Sequence, residues 1–173
     1  MKNKIVPTGK EWVLKGDTYI VSKTDTKGKI TYANRIFMEI SGYAESELLG
    51  VQHNILRHPD MPRGAFKLMW DYISSGKEFF AYVINLCKNG DHYWVLANIT
   101  PDRDEAGNIT GYFSVRRLPS PEALSALKPV YEQMVAAEKK AGSKNAIAAS
   151  QSILMDVIKE AGHDTYETFI LSL

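Results

Sequence analysis

Between His53 and Arg63 the chain sets two imidazoles (His53, His58), two guanidinium groups (Arg57, Arg63), the Asp60 carboxylate and two prolines (Pro59, Pro62) directly ahead of an apolar helical pattern. A loop that only connects has no use for so many ionisable groups. Arg57 and His58 can give charge-assisted hydrogen bonds to a phosphate or carboxylate, and the N-terminus of the following helix adds a positive field. The chemistry on offer is anion binding. Trp70, at helical spacing from Phe66 and Ile73, reads by spacing alone as core.

The elements that must position these groups follow from pattern. Asp60 suits the N-cap of the helix after it, Pro62 falls in the first turn, and Ser74-Ser75-Gly76 ends it. Upstream, Tyr19–Thr24 and Ile30–Tyr32 read as a strand pair turning at Gly28, followed by a helix from Ala33 to Gly42 and a second over Glu45–Leu49. Downstream come strands over Phe79–Lys88, His92–Thr100 and Ile109–Leu118. Asn89-Gly90 makes the first hairpin turn, with both residues able to take positive φ. Short connections make these three strands antiparallel neighbours, and helices gathered in one insert must cover one face of the sheet. The class is α+β.

Beyond the sheet, Ser120 caps a helix with Pro121 in its first position, Pro129 is expected to bend or split that helix, and Ala141-Gly142-Ser143 reads as a linker. Ile147, Leu154, Val157, Ile158 and Ala161 form an amphipathic stripe, and Tyr166–Leu171 a last short helix. Such faces must pack on the sheet or on a second copy. This divides the chain into an N-terminal cap (residues 1–17) in which Trp12, Val13 and Leu14 pack, a sensor-sized domain (18–119) and a C-terminal helical segment (120–173).

The 173 residues are 45% apolar, enough for one core, and a net charge of +1 gives no general field for nucleic acid or anionic lipid. The first ten residues lack the apolar stretch of a secretory signal, no run is long enough to cross a bilayer, and the lone Cys87 fits a reducing compartment. A cytoplasmic protein is expected. There is no glycine-rich phosphate loop, nucleophile elbow or paired metal-ligand set, so an enzyme is not expected. Asp102, Asp104 and Glu105 read as a solvated acidic turn.

Taken together, Thr24–Asn34, Ser41-Gly42-Tyr43, Glu47–Gly50, Lys88-Asn89-Gly90 and Gly111-Tyr112 resemble a PAS sensor domain. Within that family His53–Pro62, Trp70 and Asn89–Val95 look like the PAS domain of bacterial aerotaxis receptors, a likeness covering roughly residues 18–140. It implies a PAS fold with a five-stranded antiparallel sheet in the order 2-1-5-4-3, a helical insert on one face, and FAD held non-covalently between them. Carried over by position, Arg57, His58 and Asp60 would help bind FAD, Trp70 would line its pocket, Asn85 would lie beside the isoalloxazine and Asn34 near its polar edge. Asn85 sits in the apolar run Tyr82–Leu86, where a bare amide needs a partner.

The resemblance further implies redox sensing, relayed through the C-terminal helices to a second copy or a signalling partner. The tryptophan expected near the third strand is replaced by Glu78-Phe79-Phe80. The alternatives are a haem b sensor ligated by His53 or His58, and a cofactor-free interaction module. A light-driven thiol adduct is disfavoured because Cys87 ends a strand instead of sitting in the helical insert.

Overall fold

The computed structural model describes residues 5–173. Five strands, β1 (Ile20–Asp25), β2 (Ile30–Ala33), β3 (Phe79–Leu86), β4 (His92–Arg103) and β5 (Ile109–Arg117), form one antiparallel sheet in the order β2-β1-β5-β4-β3. Between β2 and β3 lie α1 (Arg35–Ser41), α2 (Glu45–Leu48), a 3₁₀ turn (His53–Leu56) and α3 (Arg63–Ser74). This is the expected α+β PAS arrangement.

Strand register decides what the insert can reach. Side chains alternate across a strand, and the pairs Ser22↔Ser114, Ile99↔Ser114, Ala97↔Arg116 and Val83↔Val95 put Ser22, Thr24, Tyr112, Ser114, Arg116, Ala97, Ile99, Val83 and Asn85 on one face, beneath the insert. The other face carries Tyr82 and Trp94. There α4 (Pro121–Glu160) lays down Leu127, Val130, Tyr131 and Met134, all buried, with the Tyr131 hydroxyl donating to the Tyr82 carbonyl at 2.8 Å. Trp94 and Tyr131 rings sit 6.1 Å apart.

The helix α4 starts at a Ser120 cap as its sequence requires, but its backbone stays helical through Pro129. The expected bend is not a break there: one missing donor is tolerated because the residues on either side, Leu127 and Val130, are pinned to the sheet. The break falls at Gly142, with φ 72° and ψ 168°, inside the expected linker. After it, Ala146, Ser150, Leu154 and Ile158 are buried at four-residue spacing, and Ser150 crosses Gly64 so closely that a Cβ on Gly64 would collide with its hydroxyl. Finally α5 (Tyr166–Ser172) stacks Tyr166 on Phe79, ring centroids 4.9 Å apart. Both C-terminal helices therefore pack on the sheet domain itself.

Three local expectations need correction. Pro62, not Asp60, occupies the N-cap of α3, and Asp60 makes no capping bond. The anion at that helix start comes from far along the chain: Glu138 of α4, buried, accepts from the Gly64 amide at 3.0 Å. Asn89 keeps a negative φ, and only Gly90, at 92°, turns left-handed. In the N-terminal segment Leu14 alone is buried, while Trp12 and Val13 are exposed; residues 1–4 of the expected cap lie outside the described residues.

Candidate functional site

A cavity of about 890 Å³, counting the part open to solvent, lies between the inner sheet face, the 3₁₀ turn and α3. Its walls are mostly apolar: Leu56, Phe66, Met69, Trp70, Ile73, Val83, Ala97, Ile99 and Tyr112. Trp70 meets Tyr112 edge to face with centroids 5.6 Å apart, and it closes over the β1–β2 turn where Gly28 takes φ +79°. A Cβ at Gly28 would come within 3.1 Å of the indole, so this glycine serves both the turn and the close approach.

Some residues of this wall carry polar atoms that the protein does not satisfy. Asn85 Nδ2, Ser114 Oγ and Arg116 Nη1 are buried without a hydrogen-bond partner, and all three belong to residues that line the cavity. Buried polar atoms are normally paired, so three orphans in one cavity describe a recognition surface for a ligand rich in acceptors.

Arg116 is the strongest of them. Its Nη2 donates to Ser22 Oγ and to His53 Nε2, each at 2.8 Å, and its guanidinium lies 5.4 Å from the Phe37 ring centre. Since Arg116 can only donate, His53 Nε2 accepts, and the neutral ring carries its proton on Nδ1. Burial, reinforced by the Arg116 charge, pushes the His53 pKa down to about 3. Burial pushes Arg116 down to about 10, which leaves it charged at neutral pH. Among the described residues no carboxylate pairs with it.

Of the residues expected from sequence, the structure brings Arg57, Trp70 and Asn85 to the cavity. Arg57 stands at its exposed mouth, 4.9 Å over the Phe66 ring, and burial holds its guanidinium below its ordinary range. Asn34, His58 and Asp60 are not among the lining residues. Asn34 caps α1: its Oδ1 accepts from Phe37 and Val21 amides at 3.0 and 3.1 Å, and its Nδ2 donates to Tyr19. His58 is buried beside the His92 ring at 5.5 Å, and its Nδ1 accepts from the exposed Asp60's amide at 3.1 Å. Cys87 lies outside the cavity, donates to the Ile40 carbonyl, and burial raises its pKa to about 12.

The sequence reading missed Ser22, Ser114, Arg116 and the inward role of His53. A signal for two of them existed: Tyr112, Ser114 and Arg116 share one parity in a strand, so polar groups alternate onto the side that must be buried.

A family model described as PAS fold matches residues 30–116. The aerotaxis receptor of Escherichia coli (strain K12) is 45% identical over 121 residues, 70% of this chain and 24% of that receptor. A nitrogen fixation regulatory protein of Klebsiella pneumoniae is 30% identical over 97 residues, 56% of this chain and 20% of that protein. The chain thus spans about a quarter or less of the length of these relatives. Among solved structures, the light state of the blue-light photoreceptor Aureochrome1 LOV superposes with a TM-score of 0.58 at 26% identity, covering 62% of this chain and 87% of that one. A light-oxygen-voltage domain studied with a flavin analogue gives 0.56 at 26% identity, covering 63% and 82%.

Proposed function

This chain belongs to the PAS family, as a sensor domain of the aerotaxis-receptor type, and on that premise we propose that it holds FAD non-covalently in the cavity and passes the flavin's redox state to its C-terminal helices. The observation that carries the reading is the set of three orphaned polar atoms on Asn85, Ser114 and Arg116, residues that all line one largely apolar cavity. Flavin neighbours with the same fold, and relatives that are receptors and regulators, support it. When bound, the flavin would supply a redox couple whose charge and protonation change at the ring edge.

The chain's own residues do the rest. Trp70, Phe66 and Met69 would exclude water and pack on the ring, while Arg57 would suit the diphosphate. Asn85 can present either its carbonyl or its amide by rotating, so it can follow a ring atom that changes from acceptor to donor. His58, Asp60 and Asn34 act through position: they shape the loop and fasten β1 to α1. A signal leaving Asn85 has a short way to α4, because β3 carries Asn85 on one face and Tyr82, hydrogen-bonded to Tyr131, on the other. The helices then address a second copy or a signalling partner. No helix among the described residues is long and apolar enough to cross a membrane.

A haem held through His53 is the weaker reading, since its Nε2 is taken up by Arg116 at 2.8 Å and His58 lies outside the cavity. The test is direct. The protein is purified, heated, and the released chromophore identified by mass; FAD supports the reading, whereas a colourless protein that also refuses added FAD contradicts it.

A further inference from the structure

Gly64, at the start of α3, is touched by two residues of α4 that lie on either side of its break. Glu138 accepts from the Gly64 amide at 3.0 Å, and the Ser150 hydroxyl stands where a Gly64 Cβ would be. In a straight helix residues so far apart in sequence are separated by about 18 Å. Both reach one glycine because the chain turns between them, at Gly142. Beyond the turn, residues 143–172 form an arm, which buries Leu154, Ile158, Tyr166 and Ile170 in one apolar cluster with Ile73 of α3 and Phe79 of β3.

The turn itself is held by little. Gly142 is exposed, a Cβ there would meet nothing within 4 Å, and its φ of 72° with ψ of 168° is a conformation open in practice to glycine alone. Residues 136–141 are all strong helix formers, and Ala146, Ala148 and Ala149 follow the break. Straightening Gly142 therefore yields one continuous helix, lifts the arm off its own body and leaves the arm's apolar face bare. A second copy offers the surface that fits this face without repacking, namely its own α3 and β3 once its own arm has left them. Every arm contact is then remade between copies, and the hinge is the one local difference.

We propose that the surface formed by α3 and the outer edge of β3 takes the arm of a second copy of this chain, so that two copies exchange residues 143–172 through straightened Gly142 hinges. The exchange gives the second copy of the proposed function a mode of binding, and it stands apart from the flavin, because hinge and arm lie outside the cavity lining. It sets Ser150 of one copy against Gly64 of the other, at the start of the helix whose Phe66, Met69 and Trp70 line the cavity. Each cavity wall is thus backed by the other copy's arm. Glycine at position 142 tips the balance toward the folded-back arm, since it is at ease in the bend and poor in a helix. Alanine reverses both preferences.

The experiment uses the full chain as purified. One batch carries a spin label at Lys67→Cys on α3 and another at Ser152→Cys on the arm, both exposed positions, with the buried Cys87 left in place. A docked arm fixes the distance between these positions, whichever copy supplies it. The two batches are mixed, warmed at high concentration, and measured by light scattering and pulsed EPR. The expected result is a dimer with a cross-copy distance equal to that of the docked arm, and a dimer dissociation constant that Gly142→Ala tightens at least about tenfold. A wild type that stays monomeric up to its solubility limit overturns the proposal. So does a dimer whose cross-copy distance differs from the docked one, which would place the contact on another face, or a Gly142→Ala effect below tenfold. Should Gly142→Ala fail to fold, the wild-type mass and cross-copy distance decide alone. A colourless preparation leaves this test intact and bears on the flavin reading only.

Discussion

Arg57 and Asn85 pair as an isolated antiparallel bridge, which stitches the basic loop to the outer edge of β3 at a residue that lines the cavity. The Arg57 side chain lies over Phe66, and the Glu138 carboxylate of α4 acts on its charge. Cavity, loop and C-terminal helix therefore meet within one small neighbourhood. A change in how Asn85 is satisfied alters the strand that holds the loop, and the loop shares Glu138's neighbourhood with the start of α3.

Asn85→Leu removes the amide while filling the same space with apolar atoms. The loss of one buried hydrogen bond is worth about 1–3 kcal/mol, so FAD affinity should fall between several-fold and about a hundred-fold. Fluorescence quenching of FAD titrated with apo-protein measures it, and unchanged affinity would remove Asn85 from the site.

Glu138→Ala should loosen the docking of α4 on α3. It strips the Gly64 amide of its buried acceptor, a cost of about 1–3 kcal/mol in urea unfolding, while Glu138→Gln, which still offers a carbonyl, loses less. Equal losses in the two variants would show that the charge, and not the hydrogen bond, matters.

Gly28→Val should harm both turn and cavity. A branched residue at φ +79° is strained by about 1–3 kcal/mol, and its Cβ presses on Trp70 at 3.1 Å. Thermal unfolding and FAD uptake should fall together; a variant that melts as wild type and binds FAD normally would refute this account of the turn.

Acidification should destabilise the domain through His53. Its pKa is near 3 when folded against an ordinary value of 6.5. The unfolded chain therefore binds the extra proton between those values, and stability falls as pH drops from about 6.5 toward 3, by up to about 1.4 kcal/mol per pH unit. Above 6.5 the group adds no slope. His53→Gln should flatten this part of the profile in urea titrations, and an unchanged slope would assign it elsewhere, for instance to His58, which burial also lowers.

The sheet was legible because its strands alternate and its turns carry glycine, and the loop around Arg57 was legible because its ionisable groups had no connecting purpose. The Gly142 break was readable for the same local reason. Asp60 misled because a good capping residue says nothing of Glu138, 74 residues beyond Gly64, which supplies the anion instead. Ser22, His53 and Arg116 come together only through the β1–β5 register and the placing of the 3₁₀ turn. Spacing along the chain carries no trace of such a meeting.

The measurement that goes most directly to the central claim is amide hydrogen exchange on the flavin-loaded protein, oxidised and dithionite-reduced, read over α3, β3 and α4. The account predicts that reduction changes protection at Tyr82–Asn85 and in α4 from Tyr131 through Ser150, and that Asn85→Leu, reconstituted with saturating FAD, abolishes the difference in α4. Identical exchange in both redox states of the wild type, or a redox difference in α4 that survives intact in Asn85→Leu, would contradict it.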